Sequence, residues 1–129
     1  MRAKAIELCL MALLAGCSAQ AELEQRVHRY FKMPASQQVG TTTIRSAILN
    51  SVSLGASASD VYGYLEHRGI GKDGLSSYYP LNEQGEIVCR VEYNPKTLSV
   101  VKKTFGIIFV MGTEGKLRNI KVKEWLTGP

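Results

Sequence analysis

The chain has 129 residues, with 16 Lys and Arg against 11 Asp and Glu, for a formal net charge of +5. That length suits one domain with one core. The charge is spread without any cluster of cations interleaved with aromatics, which argues against nucleic acid as a partner, and three cysteines (Cys9, Cys17 and Cys89) are too few for a disulfide framework.

The first element is a leader. Arg2 and Lys4 make a basic start, residues 8–15 an apolar run, and Ala15 and Gly16 a small-residue cleavage position, the layout of a secretory signal peptide. The run is about half of the roughly 20 residues that spanning a bilayer requires. The tetrad Leu14-Ala15-Gly16-Cys17 resembles the bacterial lipobox. That resemblance implies a diacylglycerol thioether on Cys17, cleavage between Gly16 and Cys17, and acylation of the new amino group. A thiol is the side chain nucleophilic enough for this near neutral pH. Two or three acyl chains on one residue hold far more firmly than one. The competing reading makes Cys17 an ordinary cysteine in an apolar helix, and Glu7 does interrupt the run. Cleavage would remove Arg2, Lys4, Glu7 and Cys9, leaving a net side-chain charge of +4 and one unmodified thiol, Cys89.

Residues 18–33 read as a helix, with Leu23, Val27 and Tyr30 or Phe31 at helical spacing and Pro34 as its stop. The polar stretch 35–43 reads as a linker. Ile44, Ile48 and Val52 suggest a second helix ending near Ser53. Ser57 and Asp60 have capping-box spacing, Val61, Tyr64 and Leu65 face one side, and Gly69 suits the position just past the helix end, so a helix of about ten residues is expected here.

From Ser76 the period changes to two. Residues 76–81 are expected as a strand, and Asn82-Glu83-Gln84-Gly85 as a turn. Ile87, Cys89, Val91 and Tyr93 alternate with polar or lesser apolar residues, as in a half-buried strand. Asn94-Pro95-Lys96 is the next turn. Residues 98–111 form a β-rich run with a bend expected near Gly106. Gly112-Thr113-Glu114-Gly115 makes the last hairpin loop, and residues 117–125 close the sheet. Helices followed by strands argue for α+β, with the N-terminal helices packed on one face of an antiparallel meander of about four strands. The expected divisions are a leader over 1–16, a lipidated helix and linker over 17–43, and an α+β domain over 44–129.

Chemistry-bearing residues are sparse. His28 falls on the charged face of the first helix and His67 near the end of the third, neither with ligands at metal spacing, so no metal and no cofactor is expected. The glycine-rich segment 69–74 follows a helix and precedes a strand, the reverse of a phosphate loop, and reads as a plain connection. Tyr78 and Tyr79 could form a contact pair, although neighbours on a strand face opposite ways. Lys121 and Lys123 lie opposite Ile120 and Val122, with Trp125 on their side. That face, with Tyr78, is the candidate contact surface. Trp125 either anchors a partner or folds over the end of the sheet.

Leu54-Gly55-Ala56-Ser57 leading to Val61 and Leu65, the Tyr78-Tyr79 strand, the closing Gly115-Lys116-Leu117…Ile120 hairpin and Cys17 together resemble the BamE (SmpA/OmlA) lipoproteins over roughly residues 44–125. The resemblance implies an α-α-β-β-β fold shared with β-lactamase-inhibitor-like domains. It also implies a non-enzymatic scaffold or accessory in the bacterial outer membrane, facing the periplasm. Ser18 after the lipidated residue, in place of Asp, implies export to the outer membrane. The expected partners are the membrane, through lipid on Cys17, and an envelope protein; no small-molecule substrate is expected. The alternative is an inhibitor or immunity-type module against a secreted hydrolase.

Overall fold

The computed structural model describes the backbone of residues 18–93 and 102–127, and side chains within 25–92 and 104–126. Among the described residues three helices, α1 Ser18–Phe31, α2 Thr41–Leu49 and α3 Ala58–His67, precede four strands. These are β1 Ser76–Tyr79, β2 Glu86–Tyr93, β3 Lys102–Met111 and β4 Leu117–Thr127, in one sheet of spatial order β1-β2-β3-β4. Every pairing is antiparallel. The expected α+β arrangement, helices first and then a four-stranded meander, is the one observed.

Local chemistry sets the helix ends. α1 stops at Phe31, two residues before the expected end. Lys32 takes a left-handed φ of 50°, and the Met33 N–H returns to the His28 carbonyl at 2.9 Å. α2 begins at Thr41, inside the stretch expected as linker. Gly40 is its extended N-cap, and Thr43 Oγ1 accepts the Gly40 N–H at 2.9 Å. Threonines count against helix by composition, yet a hydroxyl that bonds the cap favours the first turn. α2 ends at Leu49 rather than near Ser53, and the expected domain division at residues 43 and 44 therefore falls inside it.

α3 matches its sequence signals closely. Ser57 Oγ accepts the Asp60 N–H at 3.1 Å, and Asp60 Oδ2 accepts the Ser57 N–H at 3.2 Å. At the other end Gly69 has φ 79°, the Gly69 N–H bonds the Glu66 carbonyl, and the Ile70 N–H bonds the Leu65 carbonyl. That paired closure is a Schellman motif.

β1 ends at Tyr79, two residues before the expected Leu81. Pro80 has no N–H to continue the ladder, and the Leu81 N–H donates to the Tyr62 hydroxyl at 2.7 Å. In the next turn the Glu86 N–H donates to Asn82 Oδ1 at 2.9 Å, and Gly85 adopts φ 76°. The turn expected at Asn94-Pro95-Lys96 and the first residues of the run at 98–111 lie outside the described residues. At Gly106, where a bend is expected, the register passes unbroken, and its irregularity lies between Val110 and Met111.

One face of the sheet carries Ile87, Cys89 and Val91 of β2, Phe105, Ile107 and Phe109 of β3, and Ile120 of β4. Val27 and Phe31 of α1, Ile44 and Ile48 of α2, and Val61 and Leu65 of α3 join them in one buried cluster. α1 thus belongs to the same core as the sheet. The Tyr30 hydroxyl also donates to Asp73 Oδ2 in the connection between α3 and β1. His28, expected on a charged face, is half-buried.

Ser57→Ala removes one half of the capping box and should lower unfolding free energy by about 1 kcal/mol, measured by denaturant titration. Cys89 is fully buried, and burial pushes its thiol from 9.0 up to about 12. A maleimide should label it slowly in the native protein and quickly in denaturant. The folded state holds the Cys89 proton that the unfolded chain releases near pH 9, so this stabilisation is full below pH 9 and is lost as pH rises toward 12. Burial raises the Tyr64 hydroxyl from 10.0 to about 12 with the same sign. Cys89→Ala should flatten the alkaline fall in melting temperature.

Candidate functional site

Among the described residues, the other face of the sheet carries no helix. The register lays Tyr79, Val88, Ile108 and Lys121 in one row across it, and Ser77, Arg90, Gly106 and Lys123 in the next. Trp125 stands opposite Thr104 in a third row. Lys121 and Lys123 are exposed on this face, as their alternation with Ile120 and Val122 predicts. Val88, Ile108 and Val110 form a half-buried apolar strip between the polar margins.

Trp125 folds onto the sheet and yet stays partly exposed. It is 39% exposed, and its ring lies diagonally across to β3 over Gly106. A Cβ on Gly106 would come within 2.7 Å of ring atoms Cη2 and Cζ3. Gly106 is therefore the seat of the indole, and the absence of a side chain there permits the close approach. Thr104, directly across from Trp125, is 5% exposed although it faces away from the core. The ring thus covers backbone at Gly106 while part of the residue stays exposed.

Tyr78 does not join Lys121, Lys123 and Trp125. Paired with Cys89, it stands on the helix side of β1, where its hydroxyl donates to Glu66 Oε1 at 3.2 Å and its ring lies 6.1 Å from Tyr62. Tyr79 is the tyrosine of the open face. It is 54% exposed, with the Arg90 guanidinium 6.0 Å from its ring centre. Gly16 and Cys17 lie outside the described residues.

Two residues that sequence reasoning missed organise the margin of this face. Arg45 of α2 donates through Nε to the Ile120 carbonyl at 2.8 Å and through Nη2 to Asn119 Oδ1 at 3.1 Å. Asn119 Oδ1 also accepts the Ile120 N–H at 2.9 Å. No local pattern signals contacts that span 74 and 75 residues.

The glycine-rich segment 69–74 is, as expected, a connection from α3 to β1. Asp73 Oδ1 accepts from the Leu75 and Ser76 N–H groups at 3.0 and 3.1 Å and from the Ser76 hydroxyl at 3.0 Å. A carboxylate thus occupies the turn's donors, and an anion would meet repulsion there. Among the described residues no three His, Cys, Asp or Glu side chains gather to hold a metal. None of the described helices is long and apolar enough to cross a membrane. No family model matches the chain, and neither a curated protein nor a solved structure matches it significantly.

Trp125 is the chain's single tryptophan, so its fluorescence reports this face directly. Gly106→Ala should displace the indole and shift its emission to longer wavelength. Trp125→Ala should cost about 1–2 kcal/mol, less than loss of a fully buried ring, because only part of its apolar surface leaves water.

Proposed function

We propose that this chain is a lipid-anchored protein of the bacterial cell envelope that works by contact, as a non-enzymatic scaffold or accessory. The carrying observation is the tetrad Leu14-Ala15-Gly16-Cys17, with its basic start and apolar run. Lipid on Cys17 ties the chain to a membrane, and Ser18 in second place directs it to the outer membrane, facing the periplasm. The uncovered sheet face supports the contact part of the reading. An aromatic ring on a rigid strand, flanked by Lys121 and Lys123, is the kind of anchor that contributes strongly to protein interfaces. The BamE-like reading belongs to the same proposal. Its short motifs at Leu54-Gly55-Ala56-Ser57 and Gly115-Lys116-Leu117 fall at a helix start and a strand start.

The anchor has a direct test. Cys17→Ser should abolish incorporation of labelled fatty acid and leave a precursor or a soluble product. Label retained in that variant rules out Cys17 as the attachment site. Density fractionation should place the native protein with outer membranes. Capture from detergent-solubilised envelopes should recover barrel or other envelope proteins; recovery of one tightly held hydrolase would favour the inhibitor reading instead.

A further inference from the structure

β4 is the last strand of the sheet, so one of its sides faces no other strand among the described residues. Along that side the main chain is treated differently at three positions. At Leu117 the carbonyl accepts the Gly55 N–H at 2.8 Å and the N–H donates to the Ala56 carbonyl at 2.7 Å. At Ile120 both groups are taken by Asn119 and Arg45. From Ile120 to Lys123 the ladder with β3 runs without a break. Alternation therefore turns the N–H and C=O of Val122 to the same free side as those of Ile120. Among the described residues nothing pairs with them.

A groove runs beside this position. Thr41, Thr42 and Arg45 of α2 form one wall, and Lys121, Val122 and Lys123 of β4 the other. Its lining holds three cations and no carboxylate. The first turn of α2 carries no acidic residue either, so its N-terminal N–H groups add potential of the same sign.

We infer that this groove receives an extended segment of a partner protein, added antiparallel to β4 at Val122 as a further strand, in which acidic residues alternate with apolar ones. The inference rests on reading the chain as a protein that works by contact. The alternation follows from register. A residue opposite Val122 shares its helix-side face, half-buried beside α2, and suits an apolar side chain. Residues opposite Lys121 and Lys123 share the open face and suit carboxylates. Arg45 closes the ladder at Ile120, so the added strand starts beyond it. A bilayer offers negative charge but no main-chain partner for Val122. A second copy paired antiparallel through Val122 would set Lys121 against Lys123, like charge against like.

The probe is a labelled peptide of alternating Glu and Val, titrated into the full-length chain in non-ionic detergent. It should bind, and added salt should weaken it. Lys121→Glu with Lys123→Glu should reduce affinity about tenfold or more. N-methylation of the peptide's Val amides should abolish binding, whereas N-methylation of its Glu amides should leave it, a contrast that needs no change in the protein. Equal binding of the two methylated peptides would overturn the proposal. So would charge reversal that weakens binding to phosphatidylglycerol vesicles but not to the peptide, or a dimer in sedimentation that the peptide fails to dissociate. The Cys17→Ser chain separates the two readings: peptide binding with no dependence on lipid leaves the groove standing whatever becomes of the anchor.

Discussion

One wall of apolar side chains governs this molecule. Ile87, Cys89, Val91, Phe105, Ile107, Phe109 and Ile120 share a single face of the sheet because strand side chains alternate and the three pairings hold register. Each helix contributes residues of near-zero exposure to that wall. A slip of one residue in any strand would carry its apolar set into water and its polar set into the core. Helix positions, the burial of Cys89 and the exposure of the opposite face are all consequences of this one constraint.

The same constraint explains what could be read from residues alone. The strands β2 and β4 announce themselves by period two, and α3 by the Ser57–Asp60 box and Gly69, since each of these signals is local. The placement of Lys121 and Lys123 follows from the same alternation. Tyr78 shows where local reading stops. Either tyrosine of β1 could have faced outward, and only its pairing with Cys89 puts Tyr78 on the helix side of the sheet. Gly106 was legible as unusual but not as the seat of Trp125, because the ring arrives from another strand. The start of α2 was missed because its threonines look like loop residues until Thr43 is seen bonding Gly40.

The two faces of the sheet divide the work. The covered face supplies cohesion, and the open face keeps a thin apolar strip with charged and aromatic residues at its margins. Trp125 shields Gly106 and still stays partly exposed. A surface of this kind is stiff. Its side chains stand on paired strands, so little ordering entropy remains to be lost when something docks.

The guarding of β4 also has a direction in time. The residues that close its edge, Arg45 and the 55–56 segment, come from the first half of the chain, and the strand they close comes last. Neighbouring strands are joined in sequence, so the meander itself forms from short-range contacts, whereas the closure of the edge spans some of the longest separations in the molecule. A chain made or threaded from its N-terminus therefore holds its guards before it holds the strand that needs them. An edge exposed during folding invites pairing with other chains. Here that exposure is shortened by the order in which the parts arrive.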